Sequence, residues 1–228
     1  IGLTIIDEQH RFGVVQRKLM AEKGNNPDIL TMTATPIPRT LSSIFFGDFD
    51  VSTIDCLPSG RGKTETRIEN RKNIEKVFEF LENELNKGRQ GFIICPIINK
   101  SGNPEFENLF DVRSIYSELS ANRLKKYNLE MLHGALGAEK KESIMNDFKD
   151  KKIDVLISTT IIEVGVDIPN ATFMIINNPE RFGLSQLHQL RGRIGRGRND
   201  SYCILINDEI DDDLNKRLSI FKEISDGF

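Results

Sequence analysis

The chain has 228 residues, of which 38% are hydrophobic and 29% are charged, and its formal net charge at pH 7 is −3. This composition is typical of a globular protein with one large domain or two small ones, and it argues against a broadly basic nucleic-acid-binding surface, although not against a local groove. The sequence has neither a long apolar run nor a C-x-x-C pattern, so we expect no membrane span, disulfide framework or zinc site, and a cytoplasmic location.

Short apolar runs alternate with amphipathic stretches along the chain, which predicts a parallel α/β sheet with helices on both faces. In the first part we expect strands at 3–6, 29–32 and 50–57 and helices at 16–23 and 38–46. Six further strands are predicted at 66–69, 91–98, 129–132, 153–157, 172–176 and 202–206. Helices are predicted beside them at 74–85, 112–126, 138–149, 184–191 and 214–224.

The most informative segment is 186–197, which has the sequence QLHQLRGRIGRG. If a helix continued through it, its polar residues from Gln186 to Arg196 would form one stripe. Four arginines and no carboxylate lie between residues 186 and 198, so nothing local neutralises groups that suit phosphate oxygens. A glycine destabilises a helix interior by roughly 1 kcal/mol relative to alanine, so Gly192 and Gly195 indicate a close approach to the backbone. A polyphosphate site is predicted, and a solvated basic helix is the alternative.

A second candidate site follows the first predicted strand. Asp7 and Glu8 come directly after the apolar run 3–6, which is typical of a buried parallel strand. Ligands bind at this edge of open α/β sheets, and adjacent carboxylates suit Mg²⁺. A strand-end turn is the alternative for this pair. A second apolar run at 28–32 leads into the TATP sequence at 33–36.

Four segments, in this order, resemble motifs II, III, V and VI of the superfamily 2 helicases: DEQH at 7–10, TATP at 33–36, STTIIEVGVD at 158–167 and QLRGRIGR at 189–196. The flanking residues resemble the RecG branch, on these stretches: DEQHRFGV at 7–14, TATPIPRTL at 33–41, CPII at 95–98, ERFGL at 180–184 and SDGF at 225–228. The resemblance to RecG-type bacterial DNA helicases covers essentially the whole chain.

The resemblance implies two RecA-like lobes. Residues 1–58 would be the back half of lobe one, 59–64 an interlobe linker, 65–207 a complete lobe two, and 208–228 a helix leading into the translocation motif. The family's phosphate loop lies upstream of motif II, so we expect this chain to be an excised piece and inactive by itself. The GKT sequence at 62–64 is not a P-loop, because Leu57 stands where the first glycine is needed.

The resemblance also implies roles for individual residues in the hydrolysis of ATP. Asp7 and Glu8 would form the metal site, with Asp7 holding Mg²⁺ and Glu8 orienting the attacking water. Arg193 and Arg196 would act as arginine fingers from the other lobe, so that hydrolysis requires closure. Further nucleotide contacts are expected at Gln189, Gly165, Asp167 and Gly192.

The resemblance implies two more groups of residues, one that contacts DNA and one that couples ATP hydrolysis to movement. The nucleic-acid backbone would be contacted by Thr159, Thr160, His133 and Gly134. Coupling of hydrolysis to movement would involve His10, Thr33 and Thr35. For His133, a role in the structure of its loop is an equally open alternative. The expected partner is branched or double-stranded DNA, with no membrane, and the protein is expected to be monomeric.

These expectations predict an ATP-dependent translocase that remodels replication forks and Holliday junctions in recombination and repair. Two alternatives stay open: the transcription-repair coupling factor, against which the DEQH form argues, and a non-catalytic helicase-derived binding module. The terminal helix should pack on lobe two through Leu214, Leu218 and Phe221, which share one face. Arg193 and Arg196 are expected not to depend on that helix for their position.

Overall fold

The computed structural model describes residues 2–7, 19, 27–33, 50, 52, 54, 60–100, 106–159, 167–208 and 212–223. The described residues belong to two compact units, one within residues 2–54 and the other within 60–223. In these ranges no helix has both the length and the apolar character that crossing a membrane requires. The predicted helices at 16–23 and 38–46 and most of the predicted strand at 50–57 lie outside the described residues. The predicted lobe and linker boundaries stay a prediction.

The first unit contains two parallel strands, β1 (Leu3–Ile6) and β2 (Asp28–Thr31). Leu3 pairs with Asp28 and Ile6 with Thr31, so the carboxyl ends of both strands lie at the same edge. The prediction that β1 is buried is wrong for most of the strand, because Leu3 and Ile5 are more than half exposed and only Ile6 is buried. In the described part of the unit, β2 is the single strand that pairs with β1.

The second unit contains a six-stranded, all-parallel sheet with the strand order β3-β8-β7-β4-β6-β5. Its strands are β3 (Thr64–Asn70), β4 (Gln90–Ile94), β5 (Leu129–Leu132), β6 (Val155–Ser158), β7 (Ala171–Asn177) and β8 (Ser201–Asn207). The described helices are α1 (Ile74–Asn86), α2 (Val112–Ala121), α3 (Ala138–Lys149), α4 (Leu184–Arg191) and α5 (Asp212–Glu223). Short 3-10 turns cover Arg71–Asn73 and Pro179–Arg181.

Helices cover both faces of this sheet, as the alternating pattern predicts. Apolar residues of α1 and α2 form one core with one face of the sheet. Apolar residues of α3, α4 and α5 form a second core with the other face. The inner strands β6 and β7 are fully buried and mostly apolar, which is typical of parallel sheets that are covered on both sides. The predicted parallel α/β fold class is confirmed.

Two predicted elements, α2 and β4, extend well past the observed ends, and both differences have a local cause. Helix α2 ends at Ala121 rather than at 126, because Asn122 leaves the helical conformation and the Leu124 N–H turns back to the Leu119 carbonyl at 2.8 Å. Strand β4 ends at Ile94 rather than at 98. Pro96 follows closely, and it has no N–H with which to continue the ladder.

Candidate functional site

The arginine-rich segment leaves the helix at its first glycine. Helix α4 ends at Arg191 with Gly192 as its C-cap, and Gly195 has a φ of +71°, a left-handed conformation that favours glycine. Arg193 and Arg196 therefore lie on a turn, which we call the arginine turn (residues 192–197), and not on the helix. The polar stripe that a continuous helix would form is therefore absent, and the predicted helix at 184–191 is confirmed.

The close approach predicted for Gly192 and Gly195 exists at Gly195 but not at Gly192, where an added Cβ would meet nothing closer than 3.4 Å, and the approaching groups belong to the chain itself. A Cβ on Gly195 would lie 2.5 Å from Thr64 Oγ1 and 2.6 Å from Ser201 Oγ. A Cβ on Gly197 would lie 2.4 Å from the Pro169 carbonyl oxygen. Both glycines therefore let the arginine turn pack against neighbouring segments of the same unit. Their presence is explained without a bound phosphate.

Arg196 is oriented by two partners. Its Nε donates to the Gly192 carbonyl at 3.0 Å, and its Nη1 lies 3.5 Å from Asp167 Oδ1. No carboxylate of the segment itself neutralises these arginines, but the fold brings Asp167 to Arg196 from a separate segment. Arg193 and Gln189 are half-buried on the arginine turn and on the last turn of α4. The structure thus joins two predicted nucleotide residues, Arg196 and Asp167.

Arg191 has a different environment, which the sequence analysis missed. It is only 7% exposed and donates to the Phe221 carbonyl at 2.8 Å and to Thr66 Oγ1 at 3.2 Å. Its guanidinium also lies 4.3 Å from the centre of the Phe221 ring and 3.1 Å from His188 Nδ1. The sequence feature that indicates this burial is the helical spacing. Arg191 follows the buried Leu187 by four residues and so lies on the same apolar face of the helix.

The predicted metal and coupling residues lie in the first unit. Asp7 directly follows β1 and Thr33 closely follows β2, so both are at the carboxyl edge of the same two strands, and both are exposed. Three further predicted residues, Glu8, His10 and Thr35, lie outside the described residues. In the part of the chain that the structure describes, no three His, Cys, Asp or Glu side chains are grouped so that they could hold a metal ion.

The predicted DNA-contacting residues lie at the carboxyl ends of β5 and β6, which are neighbouring strands. Thr159 donates its N–H to the Leu132 carbonyl at 3.3 Å, and His133 follows Leu132 directly. The Gly134 carbonyl accepts from Lys141 Nζ at 3.0 Å. The structure therefore brings Thr159, His133 and Gly134 to one edge, whereas Thr160 and Gly165 lie outside the described residues.

His133 is buried, and its Nδ1 has no hydrogen-bond partner within the described ranges. Burial lowers the pKa of its imidazole, and the nearby positive charges of Arg113 and Lys141 lower it further. The neutral form of the ring is therefore favoured, because desolvation and both cations oppose protonation. A neutral imidazole offers one donor and one acceptor instead of a charge.

The chain is similar to known helicases along its whole length. The family described as helicase conserved C-terminal domain matches residues 72–198. The chain is 49% identical over 228 residues to the ATP-dependent DNA helicase RecG of Streptococcus pneumoniae serotype 4, covering 100% of the chain and 34% of that protein. It is 46% identical to RecG of Bacillus subtilis strain 168, again covering 100% of the chain and 33% of the relative. The chain thus spans about a third of these relatives.

A solved structure of RecG bound to a three-way DNA junction shares the fold with a TM-score of 0.78 and 41% sequence identity. The match covers 100% of this chain and 28% of that one. The resemblance to RecG-type helicases that the motifs indicate is confirmed. Because the family match covers more than half of the chain, the protein belongs to the helicase conserved C-terminal domain family.

Proposed function

We propose that the chain is part of an ATP-dependent DNA helicase of the RecG type that remodels branched DNA, such as replication forks and Holliday junctions, in recombination and repair. The observation that carries this proposal is the arginine turn, which presents Arg196 beside Asp167 within a helicase-family domain. The likeness to a RecG structure bound to a three-way DNA junction supports branched DNA as the substrate. A monomer in the bacterial cytoplasm is part of the same proposal.

The arginine turn is suited to act on the phosphates of ATP. Phosphoryl transfer depends mainly on positioning and on electrostatic stabilisation, so cations held in place are what it requires. The Gly192 carbonyl fixes Arg196 at Nε, which leaves its Nη atoms for another acceptor. The 3.5 Å contact with Asp167 is at the long end of hydrogen-bond range, so a phosphate oxygen could replace it. We assign Arg193 and Arg196 as the stabilising groups.

The carboxyl edge of β1 and β2 fits a magnesium site. Asp7 is an exposed carboxylate at the end of a parallel strand, and Mg²⁺ is commonly bound through one or two carboxylates and substrate phosphates. In our proposal Asp7 holds the ion and Glu8 orients the attacking water. The ion, when bound, would neutralise negative charge on the phosphate oxygens. Thr33 shares this edge, which supports its assignment with Thr35 and His10 to coupling.

The carboxyl edge of β5 and β6 is our proposed DNA contact. Hydroxyl, imidazole and backbone groups can bind phosphates and sugars without reading the base sequence. Thr159 and His133 lie on neighbouring strand ends, and His133 Nδ1 has no protein partner in the described part of the chain. What supports the assignment is therefore the position of His133 beside Thr159 at this edge, since its buried Nδ1 does not itself reach DNA, and a role in the structure of its loop stays the alternative.

The relatives described above favour this function over the two alternatives. They are RecG helicases, and none of them is a transcription-repair coupling factor. A non-catalytic binding module would not need the orientation of Arg196 by Gly192 and Asp167.

The first prediction tests the proposed activity in the whole protein. ATP hydrolysis should rise when a three-way DNA junction is added, and strand separation on a gel should require ATP. Glu8→Gln should lower the turnover number kcat at least about 10²-fold, because it removes the general base. Glu79→Gln, on an exposed face of α1, is the matched control and should leave kcat unchanged.

Hydrolysis that does not respond to DNA, or that survives Glu8→Gln, would contradict the proposal. The purified 228-residue chain is expected to hydrolyse no ATP, since its sequence contains no G-x-x-x-x-G-K-[ST] phosphate loop. Turnover by this chain would mean that its GKT sequence has to be reconsidered as a nucleotide site.

A further inference from the structure

Residues 60–64, with the sequence GRGKT, run beside the arginine turn. We call this segment the strap. Gly62 donates its N–H to the Gly197 carbonyl at 3.1 Å. Lys63 accepts from the Ser201 N–H at 2.8 Å and donates its own N–H to Asp200 Oδ1 at 2.9 Å. The strap is therefore bonded to the residues that end the arginine turn and to those that follow it.

The side chains of the strap and of the residues after the turn also meet. Thr64 Oγ1 and Ser201 Oγ lie 3.0 Å apart, and the same two residues pair where β3 and β8 begin. These two hydroxyls are the groups that a side chain on Gly195 would strike. One hydroxyl pair thus links the strap, the start of the sheet and the middle of the arginine turn.

The packing of the strap against the arginine turn depends on one glycine in each of the two segments. A Cβ on Gly62 would lie 2.0 Å from the Asn199 carbonyl oxygen, a backbone atom that cannot rotate away. A Cβ on Gly195 would lie 2.5 Å from Thr64 Oγ1. Real Cβ atoms essentially never come this close, so a side chain at Gly62 would have to move the strap and the turn apart, whereas one at Gly195 would have to displace the two hydroxyls.

We propose that the strap is a positioning element for the arginine turn, with Gly62 and Thr64 setting where Arg193 and Arg196 stand. Neither strap residue contacts the nucleotide in this assignment, and each acts through the backbone of residues 195–201. On the predicted boundaries the strap also forms most of the interlobe linker, residues 59–64. This inference rests on the proposed ATPase function.

The second prediction tests the strap in the whole protein with Gly62→Ala. A displacement of about 1 Å at a catalytic group can lower a rate by about 10²-fold, so we expect kcat for DNA-stimulated ATP hydrolysis to fall about 10-fold or more. The KM for ATP should stay within about twofold, because the phosphate loop and the metal carboxylates are untouched. Gly137→Ala is the matched control, since its added Cβ meets nothing within 4 Å and its φ is −62°.

A second variant covers the case in which Gly62→Ala does not fold. Thr64→Val keeps the size of the side chain and removes the hydroxyl that meets Ser201. Combined with Ser201→Ala in a double-mutant cycle, it should affect kcat less than additively, because either change alone breaks the same contact. Additive effects on kcat, or wild-type kcat in a folded Gly62→Ala protein, would overturn the inference.

A readout without activity separates this inference from the proposed function. The 228-residue chain contains no tryptophan, so Arg198→Trp places a single fluorophore at the exposed end of the turn. Adding Gly62→Ala should shift its emission maximum, whereas adding Gly137→Ala should not. If the wild-type protein shows no DNA-stimulated hydrolysis but the emission shifts, the strap still positions the turn and the proposed function has failed. An unchanged emission maximum would show that the strap does not position the arginine turn.

Discussion

Arg191 and Arg196 are five positions apart in one arginine-rich stretch, yet the fold gives them opposite environments. Arg191 is 7% exposed and held by a carbonyl, a hydroxyl, an imidazole nitrogen and an aromatic face. The Arg196 side chain is 28% exposed and contacts one carbonyl and one distant carboxylate. The first arginine is a fixed part of the core, and the second is oriented but still accessible.

The difference shows that charge in a motif does not by itself identify a site. A buried guanidinium needs acceptors for its donors, and Arg191 has them on three separate elements: β3 through Thr66, α4 through His188 and α5 through Phe221. Its contribution is to hold those elements together. An accessible guanidinium beside a turn can instead exchange its partner for a ligand.

The buried arginine also bears on the expectation that Arg193 and Arg196 do not depend on the terminal helix, which stays a prediction. Arg191 immediately precedes the arginine turn, and its hydrogen bond to the Phe221 carbonyl attaches that position to α5. Leu218 and Phe221 are themselves completely buried. We therefore expect a polar substitution at Leu218 to disturb Arg191, and through it the start of the arginine turn, together with the helix.

The third prediction has the largest expected effect and concerns the accessible arginines of the arginine turn. In the whole protein, Arg196→Ala or Arg193→Ala should lower kcat at least about 10²-fold, with a smaller effect on nucleotide affinity, because preorganised cations act on charge in the transition state. Steady-state ATPase assays and equilibrium binding of a fluorescent nucleotide measure the two quantities. Arg198→Ala, an exposed neighbour, serves as control. Equal and mild effects at all three positions would mean that the turn is only a basic surface.

The fourth prediction concerns Arg191, the buried arginine of the comparison. Arg191→Met should lower the free energy of unfolding by about 1–3 kcal/mol, since it leaves the buried Phe221 carbonyl and Thr66 hydroxyl without a donor. Chemical denaturation of the 228-residue chain measures this loss. Arg191→Lys keeps the charge but not the planar fork, so it should recover only part of the stability. A Met variant as stable as the wild type would show that Arg191 is not an anchor.

The fifth prediction has the smallest expected effect and sharpens the role of Asp167. Asp167→Asn keeps the shape and removes the charge that faces Arg196 at 3.5 Å. Because both side chains are partly exposed, the ion pair should contribute little to stability. We expect an unchanged denaturation midpoint and a change of a few-fold in kcat, read from the same ATPase assay. A loss of kcat as large as that of Arg196→Ala would place Asp167 among the catalytic groups.

The parallel sheet and the helix positions of the second unit could be predicted because hydrophobic periodicity is a local property of the sequence. Helices α3 and α4 have the predicted bounds. The end of β4 was missed, although Pro96 marks it, because the apolar residues beyond continue the pattern. Local patterns thus define where elements lie better than where they stop.

The candidate site was harder to predict because its contacts join distant segments. Asp167 meets Arg196 across 29 positions, and Thr64 meets Ser201 across 137. The sequence shows that Gly195 needs a close neighbour, but it does not show that the neighbour is a hydroxyl of the same chain rather than a phosphate. The roles assigned to Asp7, Glu8 and the other site residues stay predictions.

The pairing of β3 with β8 has a consequence for how the protein is made. Strand β3 is the first strand of its sheet along the chain, and it pairs with the last one, starting at Thr64 and Ser201. Contacts of such large sequence separation carry a high loop-closure cost and form late in folding. During synthesis, β3 cannot pair with β8 until about 137 further residues have emerged from the ribosome. The bonds between the strap and the arginine turn are therefore complete only after Ser201 has emerged.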